Sequence, residues 1–175
     1  MEQRKTIVVH GGVFHADDSL AVFLLKQLPE YSDAAVIRTR DPEVINQGTI
    51  VCDVGKVYDH SRKRYDHHQP EFKQTFPGYT IRLSSAGLIY LHYGREIIQN
   101  ILSKHNISIG NQLERVYKHQ YDHFVVEIDA IDNGINPVPS DVKELYKCHT
   151  SISARIARLN PHWKTEDPDP NIFDK

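Results

Sequence analysis

At 175 residues, with 39% hydrophobic and 25% charged side chains, the chain has the composition of a soluble globular domain able to bury one good core. A formal net charge of −2 argues against a protein that grips nucleic acid by bulk electrostatics, so any polyanion must be held locally. The cysteines, Cys52 inside an apolar run and Cys148 far from it, suit neither a disulfide framework nor a cysteine-rich zinc site, which points to a reducing, intracellular setting. No apolar stretch approaches a membrane span, and Met1–Lys5 lacks the character of a signal or transit peptide.

In chain order, Thr6–His10 reads as a strand and Ala16–Leu28 as a helix, with apolar positions at Leu20, Ala21, Leu24, Leu25 and Leu28. Ala34–Arg38 and Gly48–Val54 read as further strands, so the expected class is α/β, a parallel sheet with flanking crossover helices. A loop holding Pro70, Pro77 and Gly78 precedes Ser84-Ser85, which predicts an N-cap and a helix to about Leu102. From near Asn111, Leu113, Val116, Tyr117, Tyr121, Phe124, Ile128 and Ile131 recur at helical spacing and predict one apolar face that stops at Asn133-Gly134. Leu145–Leu159 predicts one more helix. Residues 1–159 are thus expected to form a single catalytic domain and residues 160–175 a polar tail or truncated linker.

The chemistry concentrates in three places. His10, His15 and Asp17 fall at a strand-to-helix junction, where Gly11-Gly12 lets the backbone turn; such nitrogen and oxygen donors suit Mn2+ or Zn2+ better than Ca2+. Asp17 or Asp18 alone also reads as a helix N-terminal charge, and Asp53 alone as the start of a turn with Gly55. Between two histidine clusters, however, Asp53 is a natural bridge between cations. In Asp66-His67-His68, adjacent side chains on an extended segment diverge, so one histidine binds metal and the other faces substrate or accepts a supporting hydrogen bond.

Asp66-His67-His68, with His10, His15, Asp17 and Asp53 upstream, resembles the DHH superfamily of phosphoesterases. The segments His10–Asp18, Arg38–Pro42, Tyr65–Gln69, Leu83–Tyr90 and Ile128–Ile135 are more narrowly similar to the melanocyte-proliferating-gene family, which includes a nuclear and mitochondrial RNA exonuclease. The resemblance implies a DHH-type N-terminal domain and a metal-dependent phosphoesterase, a 3′–5′ exonuclease on RNA or single-stranded nucleic acid. It implies two divalent ions, Mn2+ first and Zn2+ or Mg2+ as alternatives. One would be held by His10, His15 and Asp53, the second by Asp17, Asp53, His67 and Asp132, with Asp129 as the alternative to Asp132. His68 would contact phosphate and act with Asp53 in catalysis, and Arg38, Arg40 and Arg64 are candidate phosphate contacts. Most DHH enzymes carry an aspartate where this chain has His15, a substitution that the narrower family shares. The resemblance further implies an absent C-terminal lobe that closes over substrate, and a cytoplasmic, nuclear or mitochondrial location. A non-phosphate metallohydrolase and a catalytically silent metal-binding fragment are the alternatives.

Overall fold

Two β-branched runs form the middle of the sheet because both of their faces can be buried. The computed structural model describes residues 4–139, 141–143 and 145–162. Its strands are β1 (Thr6–Val9), β2 (Ala35–Arg38), β3 (Ile50–Cys52), β4 (Tyr58–Asp59) and β5 (Arg64–Tyr65). They lie in the order β2-β1-β3-β5-β4, parallel except for the antiparallel edge pair of β4 and β5. Helices are α1 (Ala16–Lys26), α2 (Pro42–Gln47), α3 (Ser85–Lys104), α4 (Leu113–Gln120), α5 (Val126–Asp132) and α6 (Ile152–Ala157). The α/β class expected from the sequence is therefore the observed one.

Side chains of β1 and β3 alternate between two apolar layers, as the two-residue period of a strand requires. Ile7, Val9, Ile50 and Cys52 join the main core with α1 and α3, whereas Val8 and Val51 pack on the opposite face against Ile45 of α2. Burial raises the pKa of the Cys52 thiol, and both cysteines are free. Helix α2 was not anticipated, although its signal is local: Asp41 accepts a hydrogen bond from Glu43 N, and Pro42 occupies the first turn. Gly48 then brings the chain into β3 where a Cβ would lie 2.7 Å from Val8 Cγ2.

The expected strand Gly48–Val54 is shorter than read, because Asp53 adopts a left-handed conformation (φ 57°) and leaves the sheet. The expected helix to Ile131 also differs. Residues Tyr121–Val125 form a π-turn between α4 and α5, which inserts a residue into the helical phase. Val125 is consequently buried while Phe124 is only partly covered, and Ile131 is 43% exposed. Of the expected helix Leu145–Leu159, only α6 forms; Ser151 caps it by accepting from Ala154 N, and Leu145 and Tyr146 are exposed. Asn160, assigned to a polar tail, instead exchanges hydrogen bonds with the Phe14 backbone at 2.6 and 2.9 Å. Residues 163–175 of that tail lie outside the described residues.

Helices α3 and α5 are joined by one buried carboxylate. Asp129 Oδ1 accepts from Ser84 N and Ser84 Oγ, each at 2.8 Å, and Asp129 Oδ2 accepts from Tyr121 Oη at 2.8 Å. Gly87 leaves the space, since a Cβ there would land on the Asp129 carboxylate. Helix propensity alone favours Gly87→Ala by about 1 kcal/mol, but the clash outweighs it. The variant is expected to lose roughly 1–3 kcal/mol of stability. A urea-unfolding midpoint equal to or above the parent's would show that the seat is looser than described.

Candidate metal centre

Strand order reverses direction between β1 and β3, since β2 lies on one side of β1 and β3 on the other. The crevice beyond the carboxyl ends of such strands is where open α/β sheets place ligands. β1 delivers His10 to it and β3 delivers Asp53, and His10 Nε2 lies 3.3 Å from Asp53 Oδ2. The left-handed turn at Asp53 costs on the order of 1 kcal/mol, a strain that is typical of functional positions. Gly55 and Lys56 continue the bend with φ of 93° and 54°.

Helix α1 begins at the same crevice with Asp17 and Asp18 in its first turn, where the helix dipole favours negative charge. Asp18 is fully engaged. Its Oδ1 accepts from His15 N at 2.9 Å and Ser19 Oγ at 3.2 Å, and its Oδ2 pairs with Arg38 Nη2 at 2.6 Å and lies 3.4 Å from His10 Nε2. Asp17 is fully buried too, yet neither carboxylate oxygen has a hydrogen-bond partner among the described residues.

The Asp66-His67-His68 run follows β5, and its two imidazoles do not diverge as expected: their ring centroids lie 4.4 Å apart and both approach Asp53 Oδ1, because the chain has left the regular strand by then, and what separates them is burial. His67 is buried, with Nε2 at 2.9 Å from Asp132 Oδ2, 3.6 Å from Asp53 Oδ1 and 4.0 Å from Asp17 Oδ2. His68 is 55% exposed, and its Nδ1 lies 2.7 Å from Asp66 Oδ1 and 3.6 Å from Asp53 Oδ1. Asp66 also accepts from the backbone N–H of His68 at 3.0 Å and of Lys56 at 2.7 Å. These bonds hold its own carboxyl below the usual range against the opposing effect of burial, and Asp66 raises the pKa of His68.

Three donor sets converge, each with ligand atoms within 4.8 Å of one another: His10, His15 and Asp53; Asp17, His67 and Asp132; and Asp53, His67 and His68. Asp53 belongs to two of them. Burial, then the charges of Asp53, Asp132 and Asp18, push Asp17 well above the ordinary carboxylate range. Burial opposes a charge on His67, but Asp132 and Asp53 outweigh it and push the imidazole up to about 10. The cluster thus carries more negative charge than its own side chains neutralise. The unpartnered Asp17 oxygens and His10 Nε2, a buried set of nitrogen and oxygen donors, fit a divalent cation of the Mn2+ or Zn2+ type.

Asp129 does not join these sets: its oxygens are spent on Ser84 and Tyr121, and burial raises its pKa to about 6 against the effect of those bonds. The three arginines separate. Arg40 lines a cavity of about 440 Å³ that opens on His10, His15, Asp53 and His68. The Arg38 guanidinium is bound to Asp18 and stacked 4.4 Å over Phe14, and Arg64 donates to the carbonyls of Asn46, Arg62 and Lys63. Asp18, Asp66 and Lys56 were not singled out for these positions. The signal for Asp18 was available, as the second acid of a buried first turn; that for Lys56 was not, because a left-handed lysine is invisible in sequence.

Residues 6–175 match the MYG1 exonuclease family model, described as "Uncharacterised protein family (UPF0160)". The chain belongs to the MYG1 family. It is similar to the MYG1 protein of Dictyostelium discoideum, 47% identical over 171 residues that cover 97% of this chain and 50% of the relative. It is similar also to the MYG1 exonuclease of Homo sapiens, 46% identical over 171 residues covering 93% of this chain and 44% of that one. The MYG1 exonuclease of Mus musculus is 43% identical over 169 residues, with 93% and 44% covered. The chain spans about half the length of these MYG1 relatives. No solved structure matches it. No helix among the described residues is long and apolar enough to cross a membrane.

In this MYG1 chain the proton on His67 and a cation at the same nitrogen exclude one another. Because the metal-free imidazole titrates at about 10, loading a cation near neutral pH must expel that proton. The Mn2+ association constant is therefore expected to rise roughly tenfold per pH unit between about pH 7 and 9. Calorimetric titration in buffers of different ionisation enthalpy reads the proton directly. A pH-independent affinity would remove His67 Nε2 from the cation's surroundings.

Proposed function

We propose that this chain is a metal-dependent phosphodiesterase of the DHH phosphoesterase kind, a 3′–5′ exonuclease on RNA or other single-stranded nucleic acid. It would work with two divalent cations, Mn2+ first and Zn2+ or Mg2+ as alternatives. The observation that carries the reading is Asp53, common to the set with His10 and His15 and to the set with His67 and His68, beside the unpartnered carboxylate of Asp17. The exonuclease names of the human and mouse relatives support the same reaction class.

In this reading His10, His15 and Asp53 hold one cation, and Asp17, Asp53, His67 and Asp132 the other. Bound there, the pair supplies Lewis-acid charge for phosphoryl oxygens and acidifies a water for in-line displacement at phosphorus. The protein's part is positioning. Asp66 engages His68 through Nδ1, which leaves Nε2 at the exposed rim for a phosphoryl oxygen. Arg38 neutralises Asp18 and so steadies the loop between His10 and α1, while Arg40 on the cavity wall is the arginine left to meet phosphate.

Three outcomes test the assignment. Elemental analysis after Mn2+ loading should find two ions per chain, and Asp53→Ala should lower both occupancies together; loss of one ion alone would end the bridging role. His67→Ala should impair metal retention. His68→Ala should keep the metal and lower phosphodiester turnover about 100-fold or more, and equal metal loss in both variants would contradict the division of labour. Turnover of bis(p-nitrophenyl) phosphate in Mn2+ separates the phosphodiesterase from a silent module, and a kcat/KM above that for p-nitrophenyl acetate separates it from an acyl-cleaving metallohydrolase.

A further inference from the structure

We infer that Lys56 seats the phosphate adjacent to the scissile one, and that the cavities on its two sides take successive nucleoside units of a single strand. The inference rests on the phosphodiesterase reading above. Lys56 lines the cavity of about 440 Å³ that opens on His10, His15 and Asp53, and also a second cavity of about 640 Å³ walled by Tyr58, Gln69, Phe72 and Lys73. Both volumes suit one ligand unit of nucleoside size. A scissile phosphoryl group at the donor cluster, a nucleoside in the first cavity, a phosphate on Lys56 and a nucleoside in the second cavity follow one another in the order of a nucleic-acid strand.

Three features fix the lysine in that place. Its backbone is held left-handed (φ 54°), and its N–H donates to Asp66 Oδ2 at 2.7 Å, so the same carboxylate positions both Lys56 and His68. Its ammonium has no carboxylate partner among the described residues, unlike Lys5 and Lys63 on Glu30, Arg38 on Asp18 or Arg95 on Glu114. The cavity walls supply what bases need. Pro42, Ile45 and Val54 form an apolar side of the first beside the Asn46 amide, and Tyr58 and Phe72 meet edge to face at 5.6 Å in the second. With a net charge of −2 overall, such a local cation is how this chain can hold a polyanion.

The chemistry of short oligonucleotides tests this sharply. A dinucleotide has a single phosphate, which the cluster takes, whereas a trinucleotide has a second one for Lys56. In Mn2+, kcat/KM of the 175-residue chain for a ribotrinucleotide is expected to exceed that for the dinucleotide about tenfold. A 5′-phosphate added to the dinucleotide should recover the gain, whereas a 3′-phosphate should not. In Lys56→Asn, whose side chain tolerates the left-handed backbone, the trinucleotide-to-dinucleotide ratio should collapse toward one. Lys56→Gln gives an independent second reading, and circular dichroism checks that each variant folds. A parent ratio near one, or a ratio unchanged in both variants, overturns the role of Lys56. Turnover of bis(p-nitrophenyl) phosphate by the parent distinguishes the failures: its absence removes the phosphodiesterase reading itself, while its presence with a flat ratio removes only the strand path.

Discussion

Much of the molecule hangs on the carboxylate of Asp129, which α5 presses against the N-cap of α3. It accepts from the backbone N–H and the hydroxyl of Ser84, whose Oγ in turn caps the first turn of α3 at Gly87 N, and it receives the Tyr121 hydroxyl from its own helical segment. A buried hydrogen bond to a charged group contributes about 1.5–3 kcal/mol, and loss of either partner leaves an unpaired polar atom in the core. With Asp129 locked against Ser84, α5 has one rotation available. That rotation puts Asp132, one turn on, at 2.9 Å from His67.

The cluster above the sheet is built on the opposite principle. Asp129 is satisfied by the protein, whereas neither oxygen of the buried Asp17 has a hydrogen-bond partner among the described residues, and burial with the neighbouring carboxylates raises its pKa although His67 lies 4.0 Å away. A core selected only for stability would not collect Asp17, Asp18, Asp53 and Asp132 around two imidazoles. The surrounding scaffold is correspondingly rigid: β1 and β3 are buried on both faces, and Arg38 spans from β2 to Asp18. A rigid structure nearby is what lets such an unfavourable charge arrangement persist.

What could be read from the sequence was whatever had a period or a spacing. β1, β3, α1 and α3 declared themselves through apolar alternation or helical recurrence, and the residues picked as donors, His10, His15, Asp17, Asp53, His67 and Asp132, do come together in space. Strand geometry predicted that His67 and His68 would point apart, whereas the segment beyond β5 keeps both rings beside Asp53, one buried and one exposed. Features of phase and conformation were hidden. Phe124 and Ile131 fit an uninterrupted helix on paper, and only the π-turn explains why Val125 takes the buried place. Arg38 looked as free as Arg40 because nothing in the order of residues reveals that Asp18 faces it. The two-residue strands β4 and β5 are too short to leave any pattern.

The π-turn at Tyr121–Val125 also limits how this part of the chain can change over evolutionary time. Each residue added to or removed from a helix turns everything beyond it by about 100°. Tyr121 and Asp129 are bonded to one another across the turn, so a one-residue deletion that restored a regular helix would rotate Asp132 away from His67 or tear Asp129 from Ser84. The segment from Tyr121 to Asp132 therefore behaves as a fixed-length spacer, tolerant of side-chain replacement on its outer face and intolerant of indels. Length variation among descendants is confined to the connections on either side of it, where a loop can absorb the change without turning the gear.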